Sequence, residues 1–208
     1  MKYRHKIDEI QLFYPQRERW QQVQQYHLLT PKVTPFIKTV FFGDSITGGW
    51  PLHEFFPSHG VLNRGIGGDT PYGLYSRFED DVLIYQPQKV FMLIGINSID
   101  DPIDMLTDCI KDVSFKIMER GIHLFLCSIL PMRNMGQADR PGKQQKILQV
   151  NEHLQAWAEN QKVQWIDYYS VLVDQNGELA ESYAKPDGLH LTFEAYVRMA
   201  QIVEPCLI

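Results

Sequence analysis

The chain has 208 residues, 44% of them hydrophobic and 22% charged, with a formal net charge of −5. That is enough chain for one domain with a full core, while the acidic balance and singly scattered basic residues argue against an electrostatically driven nucleic-acid or membrane-surface binder. No window approaches the roughly 18 apolar residues of a membrane span, and the basic start, Met1 to Lys6, runs into Ile7-Asp8-Glu9 rather than the apolar stretch of a secretory signal. Three cysteines, Cys109, Cys127 and Cys206, read as free thiols in a reducing cytoplasm.

Residues 1–36 differ from the rest in being rich in Gln, Arg, Tyr and His. Trp20, Val23 and His27 at helical spacing predict a short helix over 16–28, followed by an extended connection from Pro31 to Pro35. This appendage is expected to pack on the main domain; a partner contact or a wall of the active site is the sharper alternative. Oligomeric state stays open, a homo-oligomer included.

From residue 37 to 208 the pattern alternates strand and helix. Apolar runs predict strands at 37–42, 61–63, 90–95, 123–130 and 163–166. Between them run helical stripes: Leu74, Phe78, Val82 and Tyr85; Ile103, Leu106, Ile110, Val113 and Ile117; Ile147, Val150, Leu154 and Trp157; and finally Phe193, Tyr196, Ala200 and Val203. Thr70-Pro71 and Thr192 are placed as helix starts, and Gly121 as a helix end. Continuous apolar strands separated by helices imply a parallel sheet covered on both faces, an α/β three-layer αβα sandwich.

Four polar stretches fall at strand ends or in loops. They are Gly43-Asp44-Ser45, then Asn63 through Thr70, Gly95-Ile96-Asn97-Ser98, and Asp187-Gly188-Leu189-His190. Nucleophilic hydrolysis accounts for all four. A serine hydroxyl needs a base, for which histidine is the usual choice near neutral pH. Such a base needs an orienting acid on its other ring nitrogen, and Asp187 lies three residues before His190. The oxyanion that forms needs preorganised donors, a part suited to the Ser45 and Gly68 backbone N–H groups and to the Asn97 amide. Taken singly each feature is ordinary turn chemistry; order and co-occurrence carry the reading. Rival patterns fail on spacing. The glycines at 65–68 lack the last glycine of G-x-G-x-x-G, and His53-Glu54 has no partner histidine at zinc-helix spacing.

In the same order, these stretches resemble the sequence blocks of the SGNH, or GDSL-type, esterase and lipase family. Gly43-Asp44-Ser45-Ile46 is similar to block I, Asn63 to Thr70 to block II, Gly95-Ile96-Asn97 to block III and Asp187-x-x-His190 to block V. The resemblance covers about residues 38–204. It implies a flavodoxin-like sandwich with a five-stranded parallel sheet, and a Ser45–His190–Asp187 triad. It also implies an oxyanion hole from Ser45, Gly68 and Asn97, a small-molecule ester substrate, and no cofactor or metal. Ile46 replaces the name-giving Leu, and Ser98 stands where the family more often has an acid, which leaves the support of the Asn97 loop to be explained.

The expected activity is serine carboxylic-ester hydrolysis by an esterase, lipase or acylhydrolase. Carbohydrate deacetylation or acyl transfer on the same triad is the alternative, and a non-catalytic binding module the remaining one. Activity should rise with pH through roughly 6–7, as for a histidine base. The segment from Pro131 to Gln145 is expected as a loop at the pocket rim, with Arg133 and Asn134 as substrate contacts. Trp50 is a further pocket candidate, with core packing the competing reading. Asp44 is expected to support the nucleophile turn.

Overall fold

The computed structural model describes residues 21–29 and 36–208. A helix, α1 (Gln21–Leu29), precedes the domain. The rest of the helix expected over 16–28, the extended 31–35 connection and the Trp20, Val23 and His27 side chains lie outside what is described. Five strands follow: β1 (Thr39–Gly43), β2 (Val61–Gly65), β3 (Lys89–Leu93), β4 (His123–Cys127) and β5 (Gln164–Ile166). All pair in parallel, in the order β2-β1-β3-β4-β5. The α/β sandwich expected from the sequence is therefore the fold observed.

The period-two geometry of a strand sorts side chains onto two cores. Val40 and Phe42 of β1 point to one face, with Val90, Met92, Leu124 and Leu126. That face is covered by α4 (Pro71–Asp81), α5 (Ile103–Met118) and α6 (Arg140–Gln161) through Leu74, Phe78, Leu106, Ile110, Val150 and Leu154. Phe41 points the other way and stacks on Phe91, which stacks on Phe125, with ring centroids 4.8 and 4.2 Å apart. The parallel register aligns these three rings. Their face is covered by the short helices α2 (Ser45–Gly48) and α3 (Leu52–Phe55), by α7 (Tyr168–Leu172) and by α8 (Phe193–Leu207). A strand buried on both faces reads as a continuous apolar run, which is why β1 is visible as Val40-Phe41-Phe42.

Most strand ends shift by one or two residues from expectation, and three differences go further. β4 stops at Cys127, not at residue 130, because β5 has only three residues and offers no partner beyond Ile166. Past that point a side chain replaces the missing strand: Ile129 N–H donates to Asn151 Oδ1, and Asn151 Nδ2 donates to the Ile129 carbonyl, both at 2.8 Å. α6 begins at Arg140, with Pro141 in its first turn, so the expected 131–145 loop is shorter than proposed. Finally, the stripe ending at Tyr85 divides into α4 and a 3₁₀ turn, Leu83–Tyr85.

Candidate active site

β1 lies where the strand order reverses: the chain goes to β2 on one side and to β3 on the other. The carboxyl ends at such a switch point form a crevice. Register pairs Gly43 with Gly65 and with Leu93, so the segments that leave β1, β2 and β3 start side by side. They carry Ser45, Gly68 and Asn97.

Ser45 is the first residue of α2, and its half-buried side chain reaches His190 Nε2, 3.0 Å from Oγ. On the other side of the ring, Nδ1 lies 2.6 Å from Asp187 Oδ2. The second carboxylate oxygen, Oδ1, accepts the backbone N–H groups of Leu189 (2.9 Å) and His190 (2.8 Å). Partial burial of Asp187 works against its charge, but the imidazole and these two N–H groups outweigh it and lower its pKa to about 2. Asp187 is therefore a fixed anion. With an anion at Nδ1, a neutral imidazole carries its proton there and presents Nε2 as an acceptor to the Ser45 hydroxyl. That geometry can remove the hydroxyl proton as the oxygen attacks an electrophile.

The Asp187–His190 loop is positioned from below. Gly188 has φ +69°, and a Cβ there would fall 2.3 Å from the Arg133 carbonyl oxygen. Arg133 N–H in turn donates to the Gly188 carbonyl at 2.7 Å. The glycine is thus required both by its backbone conformation and by the close approach of the 131–136 segment.

The loop after β2 is turned by Gly68, at φ +71°. Its N–H makes no hydrogen bond among the described residues and lies on an exposed stretch. Beside it, Asn97 Nδ2 donates one proton to the Asp69 carbonyl at 2.8 Å, leaving its second proton to point elsewhere. The Asn97 loop needs no acid at position 98: Ile96–Ser98 forms a 3₁₀ turn, with Ser98 N–H on the Gly95 carbonyl and Asp101 N–H on the Ser98 carbonyl.

Asp44 accepts the Ile46 N–H at 3.0 Å and so caps α2, the supporting role expected of it. It is buried, and burial pushes its pKa up to about 7, with Asp69 adding to the effect and Arg77 opposing it. α2 is held from the far side as well, by Tyr196, whose hydroxyl donates to the Ile46 carbonyl at 2.8 Å.

A buried ionic hub beneath the site escaped the sequence reading. Arg77 Nε is 2.8 Å from Asp69 Oδ2, and its Nη1 is 2.6 Å from Asp81 Oδ2. Its Nη2 donates to the carbonyls of Gly43 (3.0 Å) and Arg64 (2.9 Å). One guanidinium thereby ties the end of β1, the end of β2 and the Gly68 loop together. Burial alone would lower its pKa, but the two carboxylates outweigh that and hold it charged. The available signal was periodicity: Leu74, Arg77, Phe78 and Asp81 share one face of α4, so a charged pair occupies core positions.

Of the expected rim contacts, Trp50 is corrected by its surroundings. It is 3% exposed and packs with Phe41, Phe56, Tyr168 and Tyr196, so it belongs to the core. Arg133 lies beside the His190 loop, with Nη1 bound to Asp174 (3.1 Å) and to the Leu179 carbonyl (3.0 Å). Asn134 is exposed, its Oδ1 accepting Gly136 N–H at 2.9 Å. Among the described residues no three His, Cys, Asp or Glu are grouped to hold a metal ion, and no helix is long and apolar enough to cross a membrane.

The five-stranded parallel fold, with its crevice at the strand ends, has counterparts among known hydrolases. The chain belongs to the GDSL-like lipase/acylhydrolase family, whose profile matches residues 41–198. Among solved structures it is similar to a Bacteroides fragilis protein assigned as an acylhydrolase, at 30% identity and a TM-score of 0.80, over 90% of this chain and 96% of that one. A GDSL-like lipase from Bacteroides thetaiotaomicron matches at 27% identity and a TM-score of 0.80, over 88% and 96%. A catalytic mutant of an acetylxylan esterase from Geobacillus stearothermophilus shares the fold at 18% identity and a TM-score of 0.67, over 82% and 93%. No curated protein sequence matches the chain at a significant level.

Proposed function

We propose that the protein is a serine carboxylic-ester hydrolase. The observation that supports this most directly is the unbroken relay from Ser45 Oγ to His190 Nε2 at 3.0 Å and from His190 Nδ1 to Asp187 at 2.6 Å. In this reading the Ser45 oxygen attacks the ester carbonyl as its proton passes to His190 Nε2. The tetrahedral intermediate collapses, the C–O bond to the alcohol breaks, and His190 returns the proton to the departing alkoxide. Water then repeats the sequence on the acyl-enzyme, releasing the carboxylic acid and restoring the Ser45 hydroxyl. The N–H groups of Ser45 and Gly68 and the second amide proton of Asn97 are the donors for the oxyanion. None of these steps calls for a cofactor.

A narrow apolar recess lies among the chain neighbours of these residues, lined by Ile46, Ile94, Ile96, Ile129 and Leu189. At about 10 Å³ it is too small to take an acyl group as it stands. The test is Ser45→Ala. It should abolish turnover of p-nitrophenyl acetate and labelling by a fluorophosphonate while leaving the circular dichroism spectrum unchanged. Retained turnover overturns the assignment. A p-nitrophenyl ester chain-length series, run beside acetylated sugars and with alcohol acceptors present, then separates esterase from carbohydrate deacetylase and acyltransferase.

A further inference from the structure

The region matched by the family profile begins at residue 41, and α1 lies outside it. Yet α1 makes direct polar contacts with the loop that carries Gly68. β2 is an edge strand, so among the described residues its outward backbone groups have no sheet neighbour. The Gly65 carbonyl at its end is instead taken by two side chains of α1: Gln22 Nε2 donates to it at 2.9 Å and the Tyr26 hydroxyl at 2.8 Å. The other end of the same Gln22 amide, Oε1, accepts Gly67 N–H at 3.4 Å. Gln22 therefore spans the Gly65–Gly67 turn, gripping a carbonyl on one side of Ile66 and an N–H on the other, one residue before Gly68. Gln22 and Tyr26 are four apart, hence on one helix face, and Gln22 Nε2 also lies 3.3 Å from the Tyr26 oxygen. The Tyr26 ring sits under the Arg64 guanidinium, 4.4 Å from its centroid, and Arg64 stands against Asp81 of the buried hub.

The loop is thus fixed on several sides. Ile66 N–H is on the Gly43 carbonyl, Asp69 is on Arg77, the Asp69 carbonyl receives Asn97, and the Gly65–Gly67 turn is held by α1. Only the last of these comes from outside the body of the domain. We infer that α1 is a positioning element for the oxyanion loop, with Gln22 and Tyr26 setting the direction of the Gly68 N–H. The inference rests on the proposed esterase reading, in which Gly68 is an oxyanion donor. Hydrogen-bond donors act through placement, and an error of about 1 Å can cost on the order of a hundredfold in rate. Removing the clamp should therefore lower kcat and leave ground-state binding nearly untouched.

The test uses the full chain with Tyr26→Phe, Gln22→Ala and the double variant, assayed on p-nitrophenyl acetate. Rates are divided by the concentration of active sites titrated with a fluorophosphonate, so that loss of folded protein does not count as loss of catalysis. The expected result is a fall in kcat per titrated site of about tenfold or more for the double variant, which is about 1.4 kcal/mol of transition-state stabilisation. KM should move by less than about twofold, and the two singles should be intermediate. Gln22→Glu, which keeps an acceptor for Gly67 N–H but loses the donor to Gly65, should fall between wild type and Gln22→Ala. Hydrogen exchange of the 65–69 peptide should quicken in the same order. Unchanged kcat per site with only a lowered melting temperature overturns the inference and leaves α1 a structural brace. Should the double variant fail to fold, Tyr26→Phe, which removes one hydroxyl, carries the same comparison. Turnover retained in Ser45→Ala overturns the esterase reading itself, an outcome distinct from any in the α1 series.

Discussion

The side-chain amide of Asn97 donates to the main-chain carbonyl of Asp69 at 2.8 Å, joining the loop after β3 to the loop after β2. One bond thus aligns two proposed oxyanion donors, the other proton of Asn97 and the N–H of neighbouring Gly68. Asn97→Ala removes one donor and frees the other. We expect kcat to fall by about 10²–10³, the loss typical of a missing oxyanion donor, or more if Gly68 is displaced as well. KM should change little. Steady-state kinetics on p-nitrophenyl acetate decide it, and a loss smaller than about fivefold in kcat would remove Asn97 from the catalytic machinery.

Asp187 presents one oxygen to the His190 ring and the other to two backbone N–H groups. Asp187→Asn keeps the shape but replaces the ring's acceptor with a group that can donate, favouring the wrong tautomer. A fall in kcat on the order of 10⁴ is expected, with folding intact. The sign of its pH effect follows from its pKa, lowered to about 2. The hydrogen bonds that hold its carboxylate add stability above about pH 4, lost as pH falls toward 2. Between pH 5 and 8 its charge is constant, so a kcat/KM profile over that range should contain no inflection from Asp187.

Arg77 holds four acceptors at once in a buried setting. Arg77→Met would take from Asp69 its 2.8 Å ion pair and leave Asp81, among the described residues, facing Arg64 at 3.6 Å. Breaking a buried pair from one side costs about 3–5 kcal/mol. Arg77→Lys should recover only part of this, since a single ammonium cannot span Asp69, Asp81 and two carbonyls. Urea unfolding measures both, and a loss below about 1 kcal/mol would show that the hub is not stabilising.

Much of this site was legible because its residues sit where strands stop. β1 and β3 are buried on both faces, so their apolar runs end abruptly, and the polar residues that follow, Asp44-Ser45 and Asn97, stand out against them. Gly68 was visible as an expected donor in its own right, and Gly188 as the glycine in the turn between the expected acid and the expected base. Trp50 was less legible because its neighbours Tyr168 and Tyr196 are far away in sequence and only the fold gathers them. Asn151 is a polar residue on the buried face of a helix, and nothing local says that it will complete β4. The grip of Gln22 and Tyr26 on Gly65 spans 43 and 39 residues, and such long-range side-chain to backbone bonds leave no periodic trace.

Asp44 supplies the last prediction, and its sign is opposite to that of Asp187. Its pKa is raised from an ordinary 3.8 to about 7, chiefly by burial, so the folded state binds this proton more tightly than the unfolded chain does. A raised carboxyl pKa leaves stability intact at low pH and lowers it as pH climbs from about 4 to about 7, where the buried group must ionise. Asp44→Asn does not titrate, and its Oδ1 can still accept the Ile46 N–H that caps α2. Near pH 4 the variant and wild type should therefore be nearly equal in stability. Above pH 7 the variant should be the more stable by a few kcal/mol, since each pKa unit corresponds to about 1.36 kcal/mol. Urea unfolding at pH 4, 6 and 8 checks this, and a constant offset between the two proteins across that range contradicts it. Because Asp44 serves the cap and not the relay, Asp44→Asn should retain ester hydrolysis, which separates it from Asp187→Asn in the same assay.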